Sequence, residues 1–318
     1  MILHNRINRK ELRLRIKQEP FKRITLSFYR FVEVDNPQAF RDELYIHFSR
    51  LQVLGRIYVA HEGINAQLSV PEFHFKAFES FLRNHPLIGT VLLNRAFDDN
   101  GHSFFVLKVM VKHKILSDGL DNSTFNIHDV GQHLDAEQFN QKLNEPNTMV
   151  IDLRNKYEHE VGRFEGAVLP QVETYKASIP IILGMLEEHK PTNVMLYCTG
   201  GIRCEKFSAY LKHKGFSNVF QLKGGVINYA HEVKKKGLVS RFIGKNFVFD
   251  ERLGERITPH VIASCHQCGH PADTHVNCAW DPCHKLFIQC DACREHYHAC
   301  CSDACAQNLS LLHQHEAR

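Results

Sequence analysis

The chain has 318 residues, 43% of them hydrophobic and 23% charged, with a net charge of only +4. Those proportions exclude a disordered or fibrous chain and leave room for two or three hydrophobic cores. The longest apolar run, "IPIILGML" at 179–186, falls far short of the ~20 residues that cross a bilayer, so no membrane partner is expected. The opening "MILHNRINRK" has no apolar core and no small-residue cleavage site, so the eleven cysteines are assigned to a reducing cytoplasm. Clustered thiols there bind metals or perform chemistry rather than form disulfides.

Residues 1–22 form a basic tail with Arg6, Arg9, Lys10, Arg13, Arg15, Lys17 and Lys22 against Glu11 and Glu19. A second basic cluster comprises Lys234, Lys235, Lys236, Arg241 and Lys245. Both attract phosphate, and both also suit an ordinary solvated surface. Residues 23–113 follow a βαββαβ order: a strand at "RITLSFYRFV", a helix over 36–53 with Asn36 as its cap, a hairpin of "GRIYVA" and "INAQLSV" about His61–Gly63, an amphipathic helix at 71–85, and a strand within 103–113. That order predicts a ferredoxin-like sandwich. On its sheet, Tyr29, Arg30, Arg56, Tyr58 and His61 are candidates for nucleotide contact, or equally plain sheet surface.

Residues 114–133 are polar, rich in turn formers, and read as a linker. Over 134–238 helices alternate with the strands "MVIDLR", "NVMLYC" and "VFQL", which predicts a parallel sheet covered on both faces. Such sheets bind ligands beyond the carboxyl ends of their strands. Cys198 stands at one such end, in "YCTGGIRCEK". Thr199, Gly200, Gly201 and Ile202 form a short loop before a helix that starts near Arg203 or Cys204. Glycines let successive amides point at one atom, and the helix start and Arg203 add positive charge, so each effect favours a Cys198 thiolate. A buried structural thiol is the competing reading, but it needs neither the two glycines nor the arginine. Cys204 suits packing or service as a resolving thiol.

Residues 239–318 form a C-terminal Cys-rich segment that holds nine of the eleven cysteines, from Cys265 to Cys305. A CxxC turn aims two sulfurs at one point. The simplest pairing is a cross-brace: Cys265, Cys268, Cys290 and Cys293 for one zinc ion, Cys278, Cys283, Cys301 and Cys305 for another, with Cys300 spare. Eight thiolates closing two tetrahedra leave no open position, which makes the zinc structural. A reduced thiol cluster is the alternative, and His266, His270, His284, His296 or His298 could replace a cysteine.

The segments "MVIDLRNKYEHEVGRFEGAVL", "YCTGGIRCEK" and "VFQLKGGVINY" together resemble a rhodanese domain. The resemblance implies a cysteine that carries sulfane sulfur as a persulfide. It also implies that Asp152, Arg154, Glu158, Gly162 and Gly166 are framework residues, held by internal ion pairs. The phosphatases that share this fold have one more residue between cysteine and arginine; four residues here suit a single sulfur better than a phosphate. With "GRIYVAHEGINAQLSV" ahead and "GKNFVFDERL" behind, the chain from about residue 24 to 305 resembles the bacterial tRNA uridine hydroxylases. That resemblance implies tRNA as partner, dioxygen as co-substrate, 5-hydroxylation of a wobble uridine, and Cys198 with Arg203 as the catalytic pair. Ala66–Gln67 departs from the Gly-Thr expected after "EGIN", which puts any RNA contact by that turn in doubt. No flavin or nicotinamide fingerprint and no non-haem iron triad accompanies the motif, so the sequence names no electron donor. A sulfurtransferase that passes persulfide sulfur to a small acceptor or protein is the alternative function; an idle zinc-bearing interaction module is a third, which intact Cys198 and Arg203 oppose.

Overall fold

The computed structural model describes residues 7–99, 101–189 and 192–316; Arg6 of the basic tail lies outside them. Helix α1 (Arg9–Lys17) begins at Asn8, whose side chain accepts from the Glu11 amide, so part of the tail is helical. Strand β1 (Arg23–Phe31) leads to α2 (Pro37–Arg50), capped by Asn36 through the Ala39 amide at 3.0 Å. The hairpin of β2 (Leu54–Ala60) and β3 (Gly63–Pro71) precedes α3 (Phe75–Asn84). Two further strands follow, β4 (Asn94–Arg95) and β5 (Leu107–Val111), in a sheet of order β4-β1-β3-β2-β5.

This is a ferredoxin-like βαββαβ sandwich with one strand more than the pattern requires. The last strand of the unit is the two-residue β4 beside β1, too short to show a period in the sequence. The expected strand within 103–113 is β5, which pairs parallel to β2 at the far edge. There it buries Leu107 and Val109 in the domain core and leaves Lys108 exposed. Strict alternation divides the sheet. Leu26, Phe28, Ile57, Val59, Ile64, Ala66 and Leu68 face α2 and α3 in one core. The residues between them, including Tyr29, Arg56, Tyr58, Asn65 and Gln67, face the other way.

Residues 114–133, expected to be a polar linker, bury Ile115, Asp118, Leu120 and Phe125. Next come β6 (Gln132–Leu134), α4 (Ala136–Lys142), β7 (Thr148–Asp152), α5 (Lys156–Glu160), β8 (Gly162–Phe164), α6 (Tyr175–His189), β9 (Asn193–Tyr197), α7 (Ile202–His213), β10 (Val219–Leu222) and α8 (Gly225–Lys236). Strands β6-β10-β9-β7 form a parallel sheet. Here too the pleat sorts the side chains: Val194, Leu196 and Cys198 join one core, Met195 and Tyr197 the other. The thiol is therefore delivered to the α6–α7 side.

The chain ends with β11 (Phe242–Asn246) and β12 (Glu255–Arg256), which extend a small sheet from β8, then the hairpin of β13 (His275–Asn277) and β14 (Leu286–Ile288), α9 (Asp291–His296) and α10 (Asp303–Glu316). Among the described residues, no helix is long and apolar enough to cross a membrane.

Candidate active site

The Cys198 loop is clamped from three sides. The amides of Val226 and Ile227, at the start of α8, donate to the carbonyls of Cys198 and Thr199 at 3.0 and 3.2 Å. Gly225 makes that approach possible: it has φ +67°, and a Cβ there would stand 2.5 Å from both carbonyl oxygens. From the other domain, the Asn94 side chain on β4 donates to the Gly200 carbonyl at 3.0 Å. Gly201 has φ +100° and lies under the Tyr29 hydroxyl, 3.1 Å from where a Cβ would sit. In this conformation the Gly201 amide donates to Cys198 Sγ at 3.1 Å.

Burial pushes the Cys198 thiol up, but the Cys204 thiol, the Arg203 charge and the amides of Cys204 and Gly201 outweigh it and bring the group down to about 6. Cys204 goes the other way: burial first, then its hydrogen bond to Cys198, hold it well above the ordinary thiol range. One sulfur is held as the thiolate at neutrality, and its neighbour keeps its proton and donates a hydrogen bond to it.

Arg203 is engaged more tightly than its place in the motif implies. Its guanidinium gives two hydrogen bonds to Glu158, at 2.7 and 2.8 Å, and a third to the Leu153 carbonyl at 3.1 Å. Glu158 also accepts from the Thr199 hydroxyl at 3.0 Å. Behind this pair, the fully buried Asp152 and Arg154 bond to each other, and Arg154 reaches the Gly162 carbonyl at 2.6 Å. Arg203 thus acts on the thiolate through its field while it fixes the loop.

The outward face of the N-terminal sheet covers the loop and encloses a cavity of about 550 Å³, within the range of small-molecule sites. Cys198, Thr199, Gly200, Ile202 and Arg203 form one wall; Tyr29, Arg56, Tyr58, Asn65 and Gln67 form the facing one. Phe249, Asp250 and Arg252 of the segment 244–253 close a third side. Of the five sheet candidates, Tyr29, Arg56 and Tyr58 thus reach the site. Arg30 instead donates to the Ile88 carbonyl, and His61 bonds the Val34 carbonyl. Ala66 and Gln67 lie on β3, beyond the turn: Ala66 is core, and Gln67 donates to Asn65 at 2.7 Å in the cavity wall.

The turn itself works inward. Glu62 bonds the Ile115 amide at 2.7 Å and the Lys206 ammonium at 2.7 Å, and Lys206, wholly buried on α7, also pairs with Asp118 at 2.6 Å. This network locks both domains and the intervening segment together. Sequence reasoning missed it, along with Asn94 and a chain from Tyr29 through Glu205 to His133 (3.4 and 2.8 Å). Lys206 carried one usable signal, a lysine at helical spacing between Ile202 and Ala209 on a face that is otherwise apolar.

In the C-terminal segment, Cys265, Cys268, Cys290 and Cys293 bring their sulfurs within 4.8 Å of one another, and so do Cys278, Cys283, Cys301 and Cys305. Sulfur–sulfur distances of 3.6 Å (Cys268–Cys290 and Cys283–Cys301) and 3.7 Å (Cys301–Cys305) match the edge of a tetrahedron with metal–sulfur bonds of about 2.3 Å. Each set fits a metal ion. Cys300 is buried beside the second set, and His266 pairs with Glu160 at 2.7 Å.

Known proteins share this layout. Residues 23–115 match the family described as UPF0176 acylphosphatase like domain, residues 135–232 the rhodanese-like domain, and residues 243–306 the rhodanase C-terminal family. A tRNA uridine(34) hydroxylase of Cronobacter sakazakii is 50% identical over 100% of this chain and 91% of its own length. One from Pectobacterium carotovorum is 50% identical over 98% and 88%. Among solved structures, a rhodanese-like domain protein from Staphylococcus aureus is 21% identical over 31% of this chain and 90% of that chain, with a TM-score of 0.26.

Proposed function

The chain belongs to the tRNA uridine(34) hydroxylase family, and on that premise we propose that the Cys198 thiolate is the group that attacks the uracil ring. The protein is an enzyme that hydroxylates uridine 34 of tRNA. The observation that carries the role of Cys198 is its place: buried at the end of β9, its sulfur accepts from the Gly201 amide at 3.1 Å on the wall of a cavity of about 550 Å³, an arrangement that fits a thiol brought down to about 6.

Addition of the thiolate to C6 breaks the C5–C6 double bond and leaves the electron pair delocalised over C5 and O4. C5 then takes one oxygen atom from dioxygen; a two-electron donor and two protons carry the other away as water. Loss of the C5 proton and departure of the thiolate from C6 restore the ring as 5-hydroxyuracil. Arg203 and the loop amides stabilise the thiolate before attack and after release. The same amide cradle suits a persulfide on Cys198. Arg203 is a positioning residue here, since its hydrogen bonds go to Glu158 and Leu153.

Zinc suits the cross-brace: Cys265, Cys268, Cys290 and Cys293 would hold one ion and Cys278, Cys283, Cys301 and Cys305 another, and four thiolates at each site would leave no open position, so the metal would supply stability and not chemistry. A tRNA substrate and eleven unpaired cysteines suit the reducing cytoplasm.

Nucleoside mass spectrometry of tRNA tests the assignment in a strain that lacks this protein. The wild-type chain should restore 5-hydroxyuridine derivatives, and Cys198→Ala should restore none, a loss of roughly a thousandfold or more. Restoration by Cys198→Ala would remove the cysteine from the mechanism. Loss of a thiolated base in the deletion strain, with 5-hydroxyuridine intact, would put the sulfurtransferase in its place.

A further inference from the structure

Four cations line the Cys198 cavity: Arg56, Lys176, Arg203 and Arg252. Two of them are already paired. Arg203 is held by Glu158, and Arg252 is bonded to Asp250 and Glu255, both at 2.6 Å. Arg56 and Lys176 are exposed and make no ion pair among the described residues. They come from different domains, Arg56 from β2 of the N-terminal sheet and Lys176 from the first turn of α6.

We propose that Arg56 and Lys176 form a two-point clamp for the phosphates on either side of the target nucleotide, one point supplied by each domain. The proposal rests on the hydroxylase reading, because a nucleotide within a chain carries an anionic phosphate on both its 5′ and 3′ oxygens. Two unpartnered cations at the rim match those two charges, while the neutral wall of Tyr29, Tyr58, Asn65 and Gln67 faces the uncharged base. The two paired arginines have their charge already satisfied and offer a phosphate less.

The strand has a way out on the Arg56 side. In the parallel register of β2 and β5, Arg56 stands opposite Lys108, which is also exposed. Arg56 and Lys108 both line a neighbouring cavity of about 780 Å³. A phosphate held by Arg56 would pass its neighbour to Lys108, so the RNA leaves over the β5 edge of the sheet.

The test is the salt dependence of tRNA binding by the full chain, for wild type, Arg56→Gln, Lys176→Gln and the double variant. Removing either cation should weaken binding about tenfold and reduce the slope of log affinity against log salt by about 0.7. The double variant should show both effects together. Arg83→Gln, exposed on α3 behind the same sheet, should match wild type. Thermal melting checks the fold of each variant, and neither side chain has an ion-pair partner whose loss would unfold it. If tRNA binds wild type, Arg56→Gln and Lys176→Gln with equal affinity and slope, the clamp is wrong and the hydroxylase reading stands. If the wild-type chain neither binds nor hydroxylates tRNA, the reading beneath the clamp falls.

Discussion

Cys198 and Cys204 sit in a core made mostly of aliphatic and aromatic side chains, Ile151, Leu153, Ile179, Ile182, Val194, Phe207 and Leu211 among them. The cysteines after residue 264 have no such support. One cluster there packs Ala263, Ala272, Ile288, Cys265 and Cys293 against Val161 of the preceding domain, and the other holds Val276 and Phe287 with Cys278, Cys300 and Cys305. In the tail the sulfurs are themselves the core. The same side chain is thus poised by a finished scaffold in one region and has to build the scaffold in the other. A packed environment tolerates an ionised sulfur only where amides and a hydrogen bond compensate it; a thin one needs a metal to hold four sulfurs together.

Metal removal is the largest way to break this contrast. Chelation should release two metal equivalents, one from each four-sulfur set, at an apparent cost of about 10 kcal/mol per site. Residues 265–305 should become protease-sensitive, while the alkylation midpoint of Cys198 stays near 6. A tail that stays protected without metal would overturn the structural role of the two sets.

Glu158→Gln asks the reverse question. It leaves the buried Arg203 without its carboxylate, which should cost roughly 3 kcal/mol of stability in urea denaturation, with metal content unchanged. A loss under about 1 kcal/mol would show that Arg203 does not depend on that pair.

The smallest effect is the most specific. Alkylation of Cys198 should accelerate as pH rises through about 6, because the thiolate is the reactive form and the group is protonated below its midpoint. Cys204→Ala removes a proton donor that stabilises only the thiolate, so the midpoint should move up by about one pH unit. An unmoved midpoint would leave Cys204 as packing alone.

The local chemistry was legible because each signal occupies a few consecutive residues. A strand-end cysteine followed by Gly200 and Gly201 needs no partner to declare a turn of inward amides, and the CxxC pairs declared their own geometry. The parallel sheet was legible from the alternation of strands and helices, and the βαββαβ unit from period and turn residues. Its last strand was not: Asn94–Arg95 is too short to carry a period, so the longer apolar run at β5 stood in for it. The polar segment 114–133 hid Asp118 and Ile115, which are buried where the rhodanese-like domain supplies Lys206 and the N-terminal sheet supplies Glu62.

By itself, then, the sequence determined the cysteine-bearing loop at the end of β9 and the tail's two sets of four thiols. Only the tertiary structure decided what faces that loop. Asn94, Tyr29, Gln67, Lys176 and Phe249 lie far apart along the chain and meet at one cavity. The physical reason is that short-range backbone preferences write themselves into neighbouring residues. A wall assembled across a domain interface depends on which sheet face is left after the cores are filled.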